Sequence, residues 1–202
     1  MPQKERKRAA EIVRECSDIP VIIHAGTNTV EDTKDLGVHA KEIGADAIAV
    51  ITPMFYPYTS DGLSSYFSKV SNACMLPLFI YSNPGRGTRM SPEAIAKTAS
   101  ENSEWVVGVK ESSGDIGFLG KVIQAVPNLK VFSGADNCYL PGLVIGTAGQ
   151  VSGYATLIPE LYVSLHDAWK KKDIELAMKS RQRSPRSKGS WKFRTSSRSK
   201  KV

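Results

Sequence analysis

The sequence predicts an α/β fold in which parallel strands alternate with helices. Short runs rich in Val, Ile and Leu recur roughly every 20–30 residues, the length of one strand–helix unit. The segments between these runs space their apolar residues as a helix does, and polar or glycine-containing loops follow the runs. Six such strands are expected, so the fold is either an open doubly wound sheet or an incomplete (β/α)8 barrel with about six of eight units.

The expected elements follow one another along most of the chain. Strands are expected near residues 21–23, 46–53, 76–81, 106–110, 129–134 and 150–153. Helices are expected near residues 4–16, 30–43, 62–73, 92–100, 116–125, 137–145, 159–170 and 173–183. Ser91 and Pro92 are typical of a helix start, as the capping residue and the first-turn proline. Residues 1–183 are therefore expected to form one partial barrel-type domain.

The segment 184–202 differs in composition from the rest of the chain. It is rich in Ser, Lys and Arg, has no apolar periodicity and is expected to be disordered. Residues 181–202 hold nine of the 27 basic residues and no acidic residue, which leaves 18 basic against 20 acidic residues, a net charge of −2, elsewhere. The overall charge of +7 therefore says little about the folded part. Trp191 and Phe193 are available for base stacking, but nucleic-acid binding by this tail is disfavoured against a non-functional extension.

Several classes of protein are disfavoured by the sequence. Cys16, Cys74 and Cys138 lie far apart without a CxxC spacing, which argues against a zinc site or a disulfide framework and favours the reducing cytoplasm. The three histidines form no ligand pattern, so no metal site is expected. The glycine-containing stretches 85–87 and 146–149 are too short and wrongly spaced for a phosphate loop or a dinucleotide fingerprint, so no bound cofactor is expected. Since no apolar run is long enough to cross a bilayer, no membrane association is expected.

A lysine ends the fourth expected strand. In the stretch Gly108 to Asp115, GVKESSGD, Lys110 follows an apolar run and precedes small, polar residues that favour a turn. Strand alternation places Val106, Gly108 and Lys110 on one face, so the glycine is expected to leave room for a small substrate beside the amine. The simpler interpretation is a lysine at a solvated strand end, because most lysines are exposed.

A tyrosine-containing signature one strand earlier favours the functional interpretation. The stretch Tyr81 to Thr88, YSNPGRGT, follows the third strand, and neighbouring parallel strands bring their carboxyl ends together. With both signatures in this order and at one-unit spacing, residues 5–183 resemble the dihydrodipicolinate synthase and N-acetylneuraminate lyase family of pyruvate-dependent class I aldolases. The resemblance implies a TIM barrel, here incomplete, and a homo-oligomer in intact relatives.

The resemblance also implies a lyase that forms a covalent Schiff base with a small-molecule 2-keto acid. Lys110 would form the imine and Tyr81 would shuttle protons, because a protonated imine stabilises a neighbouring carbanion as an enamine. Matching positions imply substrate contacts from Arg86, Gly134, Asp136, Val151 and Ser152. The alternatives are a surface role for the arginine, helix capping by the aspartate, and simple barrel packing at positions 151 and 152.

Two departures from the family pattern affect the expected activity. Phe55 stands where synthase members carry a relay tyrosine, and a phenyl ring transfers no proton, so a reaction of a 2-keto-3-deoxy acid is favoured over dihydrodipicolinate formation. Nothing matches the family's amino-terminal carboxylate-binding loop or its carboxyl-terminal helical domain, which indicates truncation at both ends. A catalytically inactive remnant of the barrel is therefore the second hypothesis, and nucleic-acid association through the tail is the third.

Overall fold

The computed structural model describes residues 1–183, so the expectation of a disordered tail at 184–202 lies outside the described residues. The chain divides into two compact units, Met1–Val151 and a unit that begins at Ser152. The first unit contains α1 (Gln3–Glu15), β1 (Ile22–His24), α2 (Val30–Glu42), β2 (Ala47–Ile51), α3 (Ser60–Cys74), β3 (Leu78–Ser82), α4 (Pro92–Glu101), β4 (Val106–Glu111), α5 (Ile116–Ala125), β5 (Lys130–Ser133), a 3-10 turn (Asp136–Cys138), α6 (Tyr139–Ile145) and β6 (Gly149–Gln150). The second contains a 3-10 turn (Tyr154–Thr156), α7 (Pro159–Lys170) and α8 (Ile174–Arg183).

The order of the strands decides between the two expected folds. All six strands form one parallel sheet in the chain order β1-β2-β3-β4-β5-β6. A doubly wound sheet reverses its strand order at a switch point, whereas a TIM barrel adds each new strand on the same side of the previous one. The fold is therefore an incomplete TIM barrel of six strands, and the doubly wound alternative is excluded.

Side-chain caps begin most of the helices that follow a strand. Each cap accepts a hydrogen bond from a backbone N–H group in the first turn, which has no partner within its own helix. The capping residues are Thr29 for α2, Thr59 for α3, Ser91 for α4 and Asp115 for α5. These capped helices follow β1 to β4, near the strand ends at which the candidate site lies.

The apolar core lies between the sheet and its helices. Buried strand residues alternate with residues that face the concave side of the sheet. The helix-facing strand residues include Ile48, Val50, Leu78, Ile80 and Val109, and they pack with helix residues that include Leu63, Phe67, Val70, Ile95 and Leu119. Burial of these side chains stabilises the sheet on its helix side and leaves the concave side for the chemistry-bearing residues.

The pairing of β3 with β4 contains a register shift. Leu78 pairs with Val106 and Phe79 pairs with Gly108, which leaves Val107 as an extra residue in β4. Paired residues of neighbouring parallel strands point to the same side, so Val106 faces the helices while Gly108 faces the concave side. The predicted alternation therefore fails at Val106, because an inserted residue exchanges the two faces of a strand.

Candidate functional site

Lys110 and Tyr81 are neighbours across the sheet. They occupy paired positions on β4 and β3, near the carboxyl ends of both strands. The Nζ atom of Lys110 lies over the Tyr81 ring, 3.9 Å from the ring centroid. The structure therefore brings together the two residues that the sequence predicts to be catalytic, on the face and at the strand ends where TIM barrels carry their active sites.

A cavity of about 230 Å³ surrounds this pair on the concave side of the sheet. The apolar part of its wall consists of Ile22, Ala49, Phe79, Phe132 and Val151. The remaining wall residues are His24, Tyr81 and Lys110. The cavity is large enough for a small organic acid, and its polar side chains are few.

Gly108 does not leave the space that the sequence predicts. A Cβ atom at this position would lie 2.5 Å from the carbonyl oxygen of Lys130 and would collide with the ring of Phe79. The Phe79 ring, which also contacts the Phe132 ring edge-on at 5.8 Å between centroids, occupies the volume beside the glycine. The expectation that this space accommodates substrate is therefore wrong, because a side chain from the neighbouring strand fills it.

The environment of Tyr81 favours ionisation of its phenol. Burial raises the pKa of Tyr81, but a hydrogen bond from Asn83 and the positive charge of Lys110 outweigh it, so the pKa lies below its usual value. The Asn83 Nδ2 group donates this hydrogen bond to the Tyr81 hydroxyl at 3.0 Å. Asn83 lies in the YSNPGRGT signature but was not among the predicted site residues; its position two residues after a strand-end tyrosine was the available signal.

Gly134, the residue that follows β5, borders the lysine. A Cβ atom here would lie 3.0 Å from Lys110 Cε and would collide with Ser112 Oγ. The backbone N–H of Gly134 donates to the carbonyl oxygen of Glu111 at 2.6 Å, which holds the glycine against β4. The structure thus places Gly134 against the lysine stem, and a direct substrate contact stays a prediction.

Arg86 and Asp136 lie on loops at the carboxyl ends of the strands. Arg86 is exposed, and its backbone N–H donates to the carbonyl oxygen of Asn83 at 3.0 Å. Asp136 begins the 3-10 turn after β5, where Ala135 occupies the capping position. Neither residue is among those that line the cavity in the described chain, so their substrate-binding roles stay predictions.

The two remaining predicted residues follow β6. Val151 lines the cavity, and its backbone N–H donates to the carbonyl oxygen of Ser133 at 2.9 Å. Ser152 begins the second unit, in which its hydroxyl donates to Tyr162 Oη at 3.1 Å and accepts from the Tyr154 N–H at 3.0 Å. Substrate binding by either residue stays a prediction.

His24 is a cavity residue that was not among the site residues predicted from the sequence. Its ring lines the cavity and contacts the Tyr81 ring edge-on, with 5.7 Å between centroids. Desolvation by the surrounding wall, together with the positive charges of Arg6 and Lys110, lowers the pKa of His24 to about 4. Arg6 also donates to the backbone carbonyl of His24 at 2.7 Å and so holds the end of β1. The signal available in the sequence was the position of this histidine, which directly follows the apolar run 21–23 of a predicted strand.

Glu111 lies on the opposite face of β4 from Lys110. It is only 2% exposed, and burial raises the pKa of its carboxyl group. Its two oxygens accept from the backbone N–H of Ser113 at 2.7 Å and from the Ser113 hydroxyl at 3.0 Å. These bonds stabilise the turn that follows the lysine.

Two features are absent from the described residues 1–183. No group of three or more His, Cys, Asp or Glu side chains in this range is placed to hold a metal ion. None of the helices in this range combines the length and the apolar character that crossing a membrane requires.

The sheet has the strand order of a TIM barrel, and it carries a lysine and a tyrosine at paired positions near the strand ends. The chain is therefore a TIM-barrel protein whose candidate site lies where the active sites of such enzymes lie. The chain belongs to the dihydrodipicolinate synthetase family, whose model matches residues 1–186. The family resemblance predicted from the two signatures is confirmed. The 4-hydroxy-tetrahydrodipicolinate synthase of Methanopyrus kandleri is 38% identical over 177 residues, which cover 86% of this chain and 59% of that protein.

Solved structures share the same fold. The prophage protein YagE of Escherichia coli K12, a dihydrodipicolinic acid synthase family member in complex with pyruvate, superposes with a TM-score of 0.86 at 28% identity, covering 90% of this chain and 63% of that one. The 2-keto 3-deoxygluconate aldolase of Picrophilus torridus superposes with a TM-score of 0.87 at 27% identity, covering 96% of this chain and 72% of that one. The chain spans less than two thirds of the length of the curated relatives.

Proposed function

We propose that this chain is a class I aldolase that cleaves or forms a 2-keto-3-deoxy acid, with Lys110 as the imine-forming residue and Tyr81 as the proton shuttle. The observation that carries the proposal is the position of Lys110 Nζ, 3.9 Å from the centroid of the Tyr81 ring in a cavity wall. This position puts the phenol beside the atoms of any imine on the lysine. A binding role alone would not need a proton donor at that place.

The proposed cleavage begins when the neutral amine of Lys110 attacks the keto carbon of the substrate. Tyr81 gives a proton to the carbinolamine oxygen, water leaves and the protonated imine forms. The phenolate then takes the proton of the C4 hydroxyl, the C3–C4 bond breaks and the aldehyde leaves. The enamine takes a proton from Tyr81 at C3, and hydrolysis of the resulting protonated imine releases pyruvate and the neutral amine of Lys110 and returns a proton to the Tyr81 phenolate. The lowered pKa of Tyr81 suits a group that gives and takes protons in turn.

In this proposal the imine is the electron sink, so no metal or bound cofactor takes part. The pyruvate held by YagE and the activity in the name of the Picrophilus torridus protein support a 2-keto acid substrate. Phe55 is 88% exposed on the loop after β2 and has no hydroxyl group, which favours a sugar acid over dihydrodipicolinate formation. Cytoplasmic location and assembly into a homo-oligomer stay predictions.

Reductive trapping tests the proposal. The protein is incubated with pyruvate and borohydride and then weighed by mass spectrometry; a covalent adduct is expected on the native chain and not on Lys110→Ala. Lys130→Ala is the matched control, since this lysine is exposed on the neighbouring strand β5 and should leave the adduct unchanged. If a folded native sample gives no adduct, the catalytically inactive alternative is correct.

A further inference from the structure

The cavity wall carries three polar side chains, those of Lys110, Tyr81 and His24. In the proposed function Lys110 forms the imine and Tyr81 moves protons. Besides Lys110, Tyr81 and His24, the cavity wall consists of Ile22, Ala49, Phe79, Phe132 and Val151. The side chains of these five residues carry no hydrogen-bonding atom. A hydroxyl group of a bound substrate that faces this wall therefore has the imidazole of His24 as its side-chain partner.

The imidazole is available for such a bond. The His24 side chain is exposed and lines the cavity, and the hydrogen bond that Arg6 donates to this residue goes to the backbone carbonyl and not to the ring. A Cβ atom at Gly26 would lie 3.2 Å from Nε2, so the Gly26 backbone borders this ring nitrogen. The contact with the Tyr81 ring places the imidazole beside the proposed proton shuttle.

The protonation state of His24 indicates the kind of group that it recognises. Its pKa of about 4 leaves the ring neutral near neutral pH, with one N–H donor and one acceptor nitrogen. A hydroxyl group both donates and accepts, so it matches a neutral imidazole. A carboxylate would pair better with a charged group such as an arginine.

We propose that His24 is a specificity-determining residue that hydrogen bonds a hydroxyl group on the aldehyde fragment of a hydroxylated 2-keto-3-deoxy acid bound to Lys110. The inference rests on the proposed function, since it takes the imine on Lys110 as the anchor of the substrate. It adds that the preferred substrate carries a hydroxyl group where His24 meets it, and that pyruvate alone does not use this contact.

The test compares two ligands in His24→Leu, which removes the donor and acceptor, and in His24→Asn, which keeps an amide. With pyruvate and borohydride, both variants should still form the adduct, and any fall in its yield should be smaller than the fall in cleavage of the sugar acid, because pyruvate has no hydroxyl group for His24. With 2-keto-3-deoxygluconate, kcat/KM for cleavage should fall about tenfold or more in His24→Leu and less in His24→Asn. His166→Leu, a histidine of α7, is the control and should change neither measurement.

Each outcome is decisive once thermal unfolding shows that the variants are folded. Unchanged cleavage of 2-keto-3-deoxygluconate in His24→Leu overturns the proposal, and so does a native chain that forms the pyruvate adduct but does not cleave this sugar acid. Equal losses with pyruvate and the sugar acid also overturn it, because they show a general effect on Lys110 or Tyr81. Absence of a pyruvate adduct on the native chain overturns the proposed function itself, and the specificity proposal with it.

Discussion

The ring of Phe79 packs against the backbone of Gly108, its partner across the β3–β4 pair. The contact lies two residues before Lys110 in β4 and is possible because residue 108 has no side chain. Aromatic packing from β3 thus fills the space beside Gly108, and the same Phe79 ring forms part of the cavity wall.

Gly108→Ala is expected to destabilise the protein by about 1–3 kcal/mol, the usual cost of overpacking. The added methyl group would meet the Phe79 ring and the carbonyl oxygen of Lys130, and a backbone atom cannot move aside as a flexible side chain does. Unfolding in urea measures the change. Gly153→Ala is the control, since no atom lies within 4 Å of a Cβ atom there and its φ is −64°. Equal stability of Gly108→Ala and the native chain would refute the packing contact.

Lys110→Met is expected to raise the pKa of Tyr81. The positive charge of the lysine stabilises the phenolate, so its removal leaves burial to favour the neutral phenol. The titration is followed by tyrosinate absorbance, and subtraction of the curve of Tyr81→Phe isolates Tyr81 from the other six tyrosines. Lys130→Met should leave the curve unchanged. A lower Tyr81 pKa in Lys110→Met would contradict the electrostatic coupling of the pair.

Glu111→Gln is expected to become more stable than the native chain as pH rises from acid to neutral. Burial raises the folded-state pKa of Glu111 above its unfolded value, so its stabilising contribution is complete below the unfolded pKa and is lost as pH rises through the folded pKa. Glutamine stays neutral and can still accept from the Ser113 N–H, which is 2.7 Å from the native carboxyl.

The measurement is the urea midpoint at acid and at neutral pH. Glu93→Gln serves as the contrast, because a hydrogen bond with Ser91 lowers the pKa of this exposed carboxyl group. The native chain should therefore gain stability relative to Glu93→Gln as pH rises from acid to neutral. If the native chain and Glu111→Gln have the same urea midpoint at every pH, the pKa of the buried carboxyl group is not raised in the folded state.

Much of the fold could be predicted because each unit carries local signals. Apolar runs of strand length, helical spacing and caps such as Ser91 and Asp115 depend on neighbours in the sequence. The same signals led to Lys110 and Tyr81, since both stand at the carboxyl ends of predicted strands. The sequence left two strand orders open, that of a doubly wound sheet and that of a barrel. The observed chain order excluded the doubly wound sheet.

The sequence by itself determined the strand–helix order and, through its two signatures, the family and the lysine–tyrosine pair. Only the tertiary structure decided the face of Val106, the occupant of the space beside Gly108 and the place of His24 in the cavity wall. The physical reason is that local propensity acts over a few residues, whereas these three features depend on the register between strands that are distant in the chain. One extra residue in β4 is enough to exchange a buried position for a concave one.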